Sequence, residues 1–235
     1  MLQAISEYFK GRLCHYYISP GAGVEPRNEI VVLVHGLLRR SLAFYSLGKK
    51  LSKLGYTVCI YDYQTTIKKM PEHGADFKRY LERIAELHPD MKINLVTHSM
   101  GGILTRLALG HLAEENDSSE ILTRDRFKRI VMLAPPHRGS DVAKRFVKYL
   151  PVTAKWIKPL GGLSSEPDAA VHTFPYPVGL EIGVIAGRFD SEVSLEYTHF
   201  PGEKAHTIIN SEHSFMMYMP AAIKTTIKFL ETGHF

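Results

Sequence analysis

A chain of 235 residues with 45% hydrophobic content can bury one sizeable core, so residues 1–235 are read as a single α/β-sized domain. Its 29 basic and 24 acidic residues are mixed through the same segments and leave a formal charge of +5, which calls for no nucleic-acid partner and leaves only mild attraction to anionic surfaces. Two cysteines are too few for a disulfide scaffold, and no stretch has about 18 consecutive apolar residues or the pattern of a secretory leader, so a cytoplasmic protein without a transmembrane segment is expected.

Five apolar runs recur along the chain: "IVVLVH" from Ile30, "TVCIYD" from Thr57, "INLVT" from Ile93, "RIVMLAP" from Arg129 and "LEIGVIAG" from Leu180. A shorter sixth, "AHTIIN", starts at Ala205. They are rich in β-branched residues and lack strict alternation, as strands buried on both faces do. Cys59 lies inside the second run and reads as a buried strand residue, not as a disulfide partner of Cys14. Between the runs, Phe77, Leu81, Ile84 and Leu87, and then Ile103, Leu104, Leu107 and Leu112, recur at helical spacing. This alternation predicts a mostly parallel sheet flanked by helices, in which ligands bind beyond the carboxyl ends of the strands. Residues 141–179 break the rhythm, with no strand-like run and several Pro and Gly residues, and are read as a helical insertion over the sheet edge. Within it Val142, Phe146, Val147 and Leu150 share helical spacing, and Lys144, Arg145 and Lys148 fall on other faces.

The stretch "INLVTHSMGGIL" puts Ser99 between a strand and a helical pattern. A nucleophile elbow needs this context, because the serine sits on a sharp, strained turn and small neighbours let strand and helix approach closely; Gly101 and Gly102 supply the room. The usual pattern is G-x-S-x-G, and Thr97 stands where the first glycine is expected. The alternative is a serine that merely caps a helix.

"VLVHGLLRRS", "LVTHSMGG", "LAPPHRGSDVA" and "VIAGRFDSEVS" followed by "SEHSFM" together resemble α/β-hydrolases, and more narrowly bacterial lipases and related esterases, from Ile30 to about Phe229. The resemblance implies the α/β-hydrolase fold and a catalytic order of Ser, then acid, then His along the chain. Leu37, after His35-Gly36, then offers one backbone N–H to an oxyanion and Met100 the other.

Of the late histidines, His172 precedes the candidate acid, His206 lies in a strand pattern and His234 in a terminal tail; His199 also follows the acid. His213, after a strand and before the helical pattern "SFMMYMPAAIKTTIKFL", is best placed as general base. Asp190, just past a strand, fits the acid, with Glu192 a close competitor. Asp141 is a further possibility, although its helix-start setting points to the helix dipole; Asp62 precedes Ser99 and violates the order.

These residues imply a serine carboxylic-ester hydrolase, esterase- or lipase-like, forming an acyl-enzyme without metal or cofactor. No H-E-x-x-H, P-loop or dinucleotide-binding pattern is present. A thioesterase or acyltransferase would use the same triad, and a catalytically idle binding module is the remaining alternative. In lipase-like enzymes a helical lid covers the acyl site, so residues 141–179 are read as a cap or lid with possible interfacial membrane contact, or as an amphipathic helix simply packed on the core. Trp156 and Phe174 either line an acyl pocket or pack the insertion.

Overall fold

The structure, a computed structural model, describes residues 15–112 and 121–235. Seven strands form one sheet in the order β1-β3-β2-β4-β5-β6-β7. These are β1 (Tyr16–Ile18), β2 (Glu29–Val34), β3 (Thr57–Tyr61), β4 (Lys92–His98), β5 (Phe127–Leu133), β6 (Ile182–Gly187) and β7 (Ala205–Ile209). Six run parallel to their neighbours, and β1 pairs antiparallel with β3 at one edge. The six apolar runs correspond to β2 through β7. β1 has no apolar run to announce it: three residues, "YYI", pair with β3 and leave Tyr17 exposed. Cys14 lies outside the described residues. Cys59 is buried in β3, where burial pushes its thiol pKa up to about 12.

Alternate side chains of the buried strands feed two cores, one on each face. Ile30, Val32 and Val34 of β2 face Phe77, Leu81 and Ile84 of α2 (Met70–Leu87) and Ile103 and Leu104 of α3 (Met100–Leu109). Val31 and Leu33 join Leu47 and Leu51 of α1 (Tyr45–Lys53), and Ile223 and Phe229 of α6 (Pro220–Thr232), on the other side. The last helix starts later than its sequence pattern suggests. Residues Met216–Tyr218 form a 3-10 turn, and Pro220, whose missing N–H costs nothing in the first helical turn, opens α6.

Residues 141–179 contain α4 (Asp141–Tyr149), the short α5 (Pro151–Ala154) and two 3-10 turns. Leu160, Leu163, Val171 and Phe174 of this segment pack into the core on the α2 and α3 side. Arg106 of α3 fastens the segment's far end. Its guanidinium, wholly buried, donates to the carbonyls of Pro175 (3.2 Å), His137 (3.0 Å), Val171 (3.0 Å) and Phe174, and lies 3.8 Å from the ring centre of Tyr176. Burial pushes its pKa down to about 10, so it remains charged at neutral pH.

Candidate active site

β2 and β4 lie side by side with Val34 opposite Thr97, so the chain segments leaving their carboxyl ends meet: His35-Gly36 beside His98-Ser99. β6 and β7 are neighbours too, with Gly187 opposite Ile209, and the pairing continues beyond them as Phe189 N–H donates to the Ser211 carbonyl. Asp190 and His213 therefore leave adjacent strands at the same end of the sheet as Ser99.

Ser99 takes φ 53° and ψ −122°, a left-handed conformation unfavourable for a residue with a Cβ. Its side chain makes no helix-capping bond, although it stands at the cap position of α3. Instead Ser99 Oγ lies 2.9 Å from His213 Nε2. The turn is possible because strand and helix nearly touch: a Cβ on Gly101 would lie 2.7 Å from the Val34 carbonyl oxygen, and one on Gly102 would lie 2.9 Å from Pro135 Cβ. Thr97 is accommodated within β4, fully buried.

His213 Nδ1 lies 2.7 Å from Asp190 Oδ2, and the Asp190 side chain is only 1% exposed. The other carboxylate oxygen accepts the backbone N–H groups of Glu192 (2.9 Å) and Val193 (2.8 Å). Asp190 thus shapes its own turn and orients an imidazole at once. With Nδ1 donating to a carboxylate, Nε2 of the neutral ring is left to accept the Ser99 hydroxyl.

Glu192 occupies a different place from Asp190. Its Oε2 is 3.8 Å from His213 Nε2, the nitrogen that faces Ser99, and its Oε1 accepts the Ser214 hydroxyl at 3.0 Å. Asp141 sits at the start of α4 and accepts the Ser165 hydroxyl. Of the other histidines, His199 and His206 stack on each other with ring centres 3.7 Å apart, and His206 Nε2 bonds Thr198 Oγ1. His172 lies in a 3-10 turn of the insertion and His234 beyond α6.

The loop after β2 is held by a buried carboxylate that the chain-order argument set aside. Asp62, just past β3, accepts from His35 Nε2 (3.1 Å), from the Arg40 guanidinium (2.9 Å) and from the Ser41 N–H (3.0 Å). Tyr63 Oη donates to the His35 carbonyl at 2.7 Å, and Leu38, at φ 57°, donates its N–H to Thr65 Oγ1. The loop also presses on the turn at Ser99: a Cβ on Gly36 would lie 2.9 Å from Ser99 Cβ. Between these fixed points Leu37 lines the cavity that holds Ser99, and Met100 is the first residue of α3, whose N–H has no partner within its own helix. The sequence signal for Asp62 was its position directly after a strand run.

His98 is a second residue missed from the sequence. It is buried against the His213 ring, and its Nε2 donates to the His213 carbonyl at 3.0 Å. Burial holds its pKa well below the usual histidine value, so it stays neutral and braces the His213 loop.

A cavity of about 420 Å³ opens over Ser99. Val142, Ala143, Phe146, Ile157, Leu160 and Leu163 of residues 141–179 line it, with Leu37, Leu38 and Val193; Arg39, Glu192 and Ser214 bring the polar groups. Neither Trp156 nor Phe174 lines it. Trp156 is 79% exposed, because it falls beyond the end of the short α5 and points to solvent, whereas Phe174 packs in the core. Leu150 is likewise exposed, since α4 ends one residue before it.

A sequence model described as the alpha/beta hydrolase fold matches residues 29–156. No curated protein matches the sequence. Among solved structures, the mature form of the Bacillus licheniformis lipase BlEst2 is similar over 94% of this chain and 98% of its own, with 17% identity and a TM-score of 0.70. A thermophilic esterase from Thermogutta terrifontis aligns over 94% of both chains with 16% identity and a TM-score of 0.60. YbtT, a type II thioesterase of the yersiniabactin biosynthetic pathway, aligns over 92% of this chain and 96% of its own with 13% identity and a TM-score of 0.59. At these identities the likeness is one of fold.

Proposed function

The chain belongs to the alpha/beta hydrolase fold family, and we propose that within it the protein is a serine carboxylic-ester hydrolase acting through Ser99, His213 and Asp190. The observation that carries this reading is the continuous chain from Ser99 Oγ to His213 Nε2 (2.9 Å) and from His213 Nδ1 to Asp190 Oδ2 (2.7 Å), opening into an apolar cavity.

In this reading His213 takes the Ser99 proton as the hydroxyl attacks the ester carbonyl, and Asp190 stabilises the imidazolium that forms. The N–H groups of Leu37 and Met100 receive the oxyanion; one such donor is worth about 3 to 4 kcal/mol of transition-state stabilisation. His213 then gives its proton to the departing alcohol, and water repeats the sequence on the acyl-enzyme. The reading is tested by turnover of p-nitrophenyl esters of increasing chain length by the wild type and by Ser99→Ala and His213→Ala. Activity that survives either substitution overturns it.

Residues 141–179 act here as a cap whose inner face forms the wall of the acyl cavity, supported by the six of them that line it. Their outer face exposes Tyr149, Leu150, Val152 and Trp156 in a segment that also carries Lys148, Lys155 and Lys158, a combination that favours contact with a lipid interface. The structural likeness to a type II thioesterase supports a second reading, hydrolysis of thioesters by the same residues. A neutral thioester compared with the oxygen ester of the same acyl group separates the two.

A further inference from the structure

Glu192 stands beside the one nitrogen through which the leaving group must depart. As the tetrahedral intermediate collapses to the acyl-enzyme, the departing alcohol oxygen takes its proton from His213 Nε2, so the alcohol portion of the substrate occupies the space next to that atom. Glu192 Oε2 is 3.8 Å from Nε2 and the side chain is 44% exposed, so the carboxylate borders this space instead of being sealed behind it. Ser214 Oγ holds the other oxygen at 3.0 Å, which limits how far the carboxylate can swing away. Among the described residues no lysine or arginine lies within ion-pairing distance of Glu192, and the titratable side chain nearest its carboxylate in an ion-pair geometry is the His213 ring. Arg39 lines the same cavity, from the loop that carries Leu37, without forming an ion pair with Glu192. The carboxylate is therefore without an ion-pair partner of its own in a largely apolar cavity, placed at the alcohol end.

We infer that Glu192 is a specificity-determining residue that reads the charge of the leaving group, favouring alcohols that carry a positive charge and disfavouring those that carry a negative one. This rests on the assignment of Ser99 and His213 as nucleophile and base. Asp190 fills the orienting role on Nδ1, so Glu192 is free to act on substrate. An ammonium a few ångströms from a partly solvated carboxylate gains a modest amount, and a phosphate-bearing alcohol loses a similar amount.

The test compares two esters of one acyl group and nearly one shape, butyrylcholine and its carbon isostere 3,3-dimethylbutyl butyrate, as a ratio of kcat/KM values. The expected wild-type ratio favours the cation by about fivefold. Glu192→Gln should bring the ratio close to one, and Glu192→Lys should invert it and raise the relative rate of the anionic thioester butyryl-CoA. A wild-type ratio at or below one, or a ratio unchanged in Glu192→Gln, overturns the inference. So does an equal fall on both esters, which would place Glu192's effect on His213 and not on the substrate. Failure of the wild type to hydrolyse the neutral isostere at all would instead count against the ester-hydrolase reading, so the two failures are distinguishable.

Discussion

Asp190 and Glu192 stand on opposite nitrogens of one imidazole: Asp190 Oδ2 is 2.7 Å from Nδ1 of His213, and Glu192 Oε2 is 3.8 Å from Nε2. One residue, Ser191, separates them in sequence, yet the turn built by Asp190 Oδ1 on the N–H groups of Glu192 and Val193 sends the second carboxylate around the ring. Asp190 alone of the two faces Nδ1. Asp190→Asn is therefore expected to lower kcat by about ten-thousandfold, as removal of a triad carboxylate does elsewhere. Addition of Glu192→Gln should not deepen the loss beyond the single effect of Glu192→Gln in the wild type. Steady-state kinetics of the two single variants and the double variant check this; strong residual activity in Asp190→Asn that vanishes in the double variant would show Glu192 substituting as the acid.

Asp62 ties the loop that carries Leu37 to the sheet. The carboxylate is fully buried and serves His35, Arg40 and the Ser41 N–H together. Its removal breaks the ion pair with the partly buried Arg40 guanidinium and a buried hydrogen bond to His35, and breaking such a pair costs about 3 to 5 kcal/mol. Asp62→Ala should lower stability by that order, and in the folded fraction should reduce kcat more than it raises KM if Leu37 is the oxyanion donor proposed above, because the loop that carries it is loosened. Urea unfolding and kinetics on the same preparations provide both readouts.

Arg106 joins α3 to residues 171–175 and to the loop after β5 through four carbonyl acceptors. Arg106→Met keeps the apolar stem and removes the donors. The expected loss is about 3 kcal/mol, from carbonyls left without partners in the interior. Limited proteolysis should then cut first within residues 141–179, and cleavage spread evenly over the chain would argue that the arginine is not a local fastening.

His98 and His137 give the fold an acid sensitivity. Burial lowers both pKa values well below the usual 6.5, for His137 with the Arg106 charge adding to the effect. Below about pH 6.5 the unfolded chain binds protons at these sites and the folded chain does not, so stability falls as pH falls. Each contributes a slope of up to about 1.4 kcal/mol per pH unit until its folded pKa is reached. Neither ring nitrogen of His137 has a hydrogen-bond partner among the described residues. His137→Leu should therefore flatten the decline between pH 7 and pH 5, measured by urea midpoints at each pH; an unchanged slope would show that His137 takes up its proton without unfolding.

The sheet was legible because buried parallel strands write themselves as continuous apolar runs, and the six that the sequence displayed are β2 through β7. β1 was not, because three tyrosine-rich residues at an antiparallel edge carry no such run and gain their order from β3. Ser99, Asp190 and His213 could be singled out since each follows a strand run, and parallel pairing delivers such positions to one end of the sheet. Where the side chains turn was not legible. The choice between Asp190 and Glu192 depends on a local turn, the fastening by Asp62 and Arg106 on pairings across 20 to 70 residues, and the exposure of Trp156 on where a four-residue helix stops.

Whether Ser99 is an activated nucleophile is read most directly by intact-mass labelling with a fluorophosphonate, on the wild type and on Ser99→Ala, since it probes activation of the serine without presuming a substrate. A single adduct is expected on the wild type and none on Ser99→Ala. No adduct on the folded wild type, even with detergent present to free the cavity, or an adduct that persists in Ser99→Ala, would contradict the assignment of Ser99 as nucleophile.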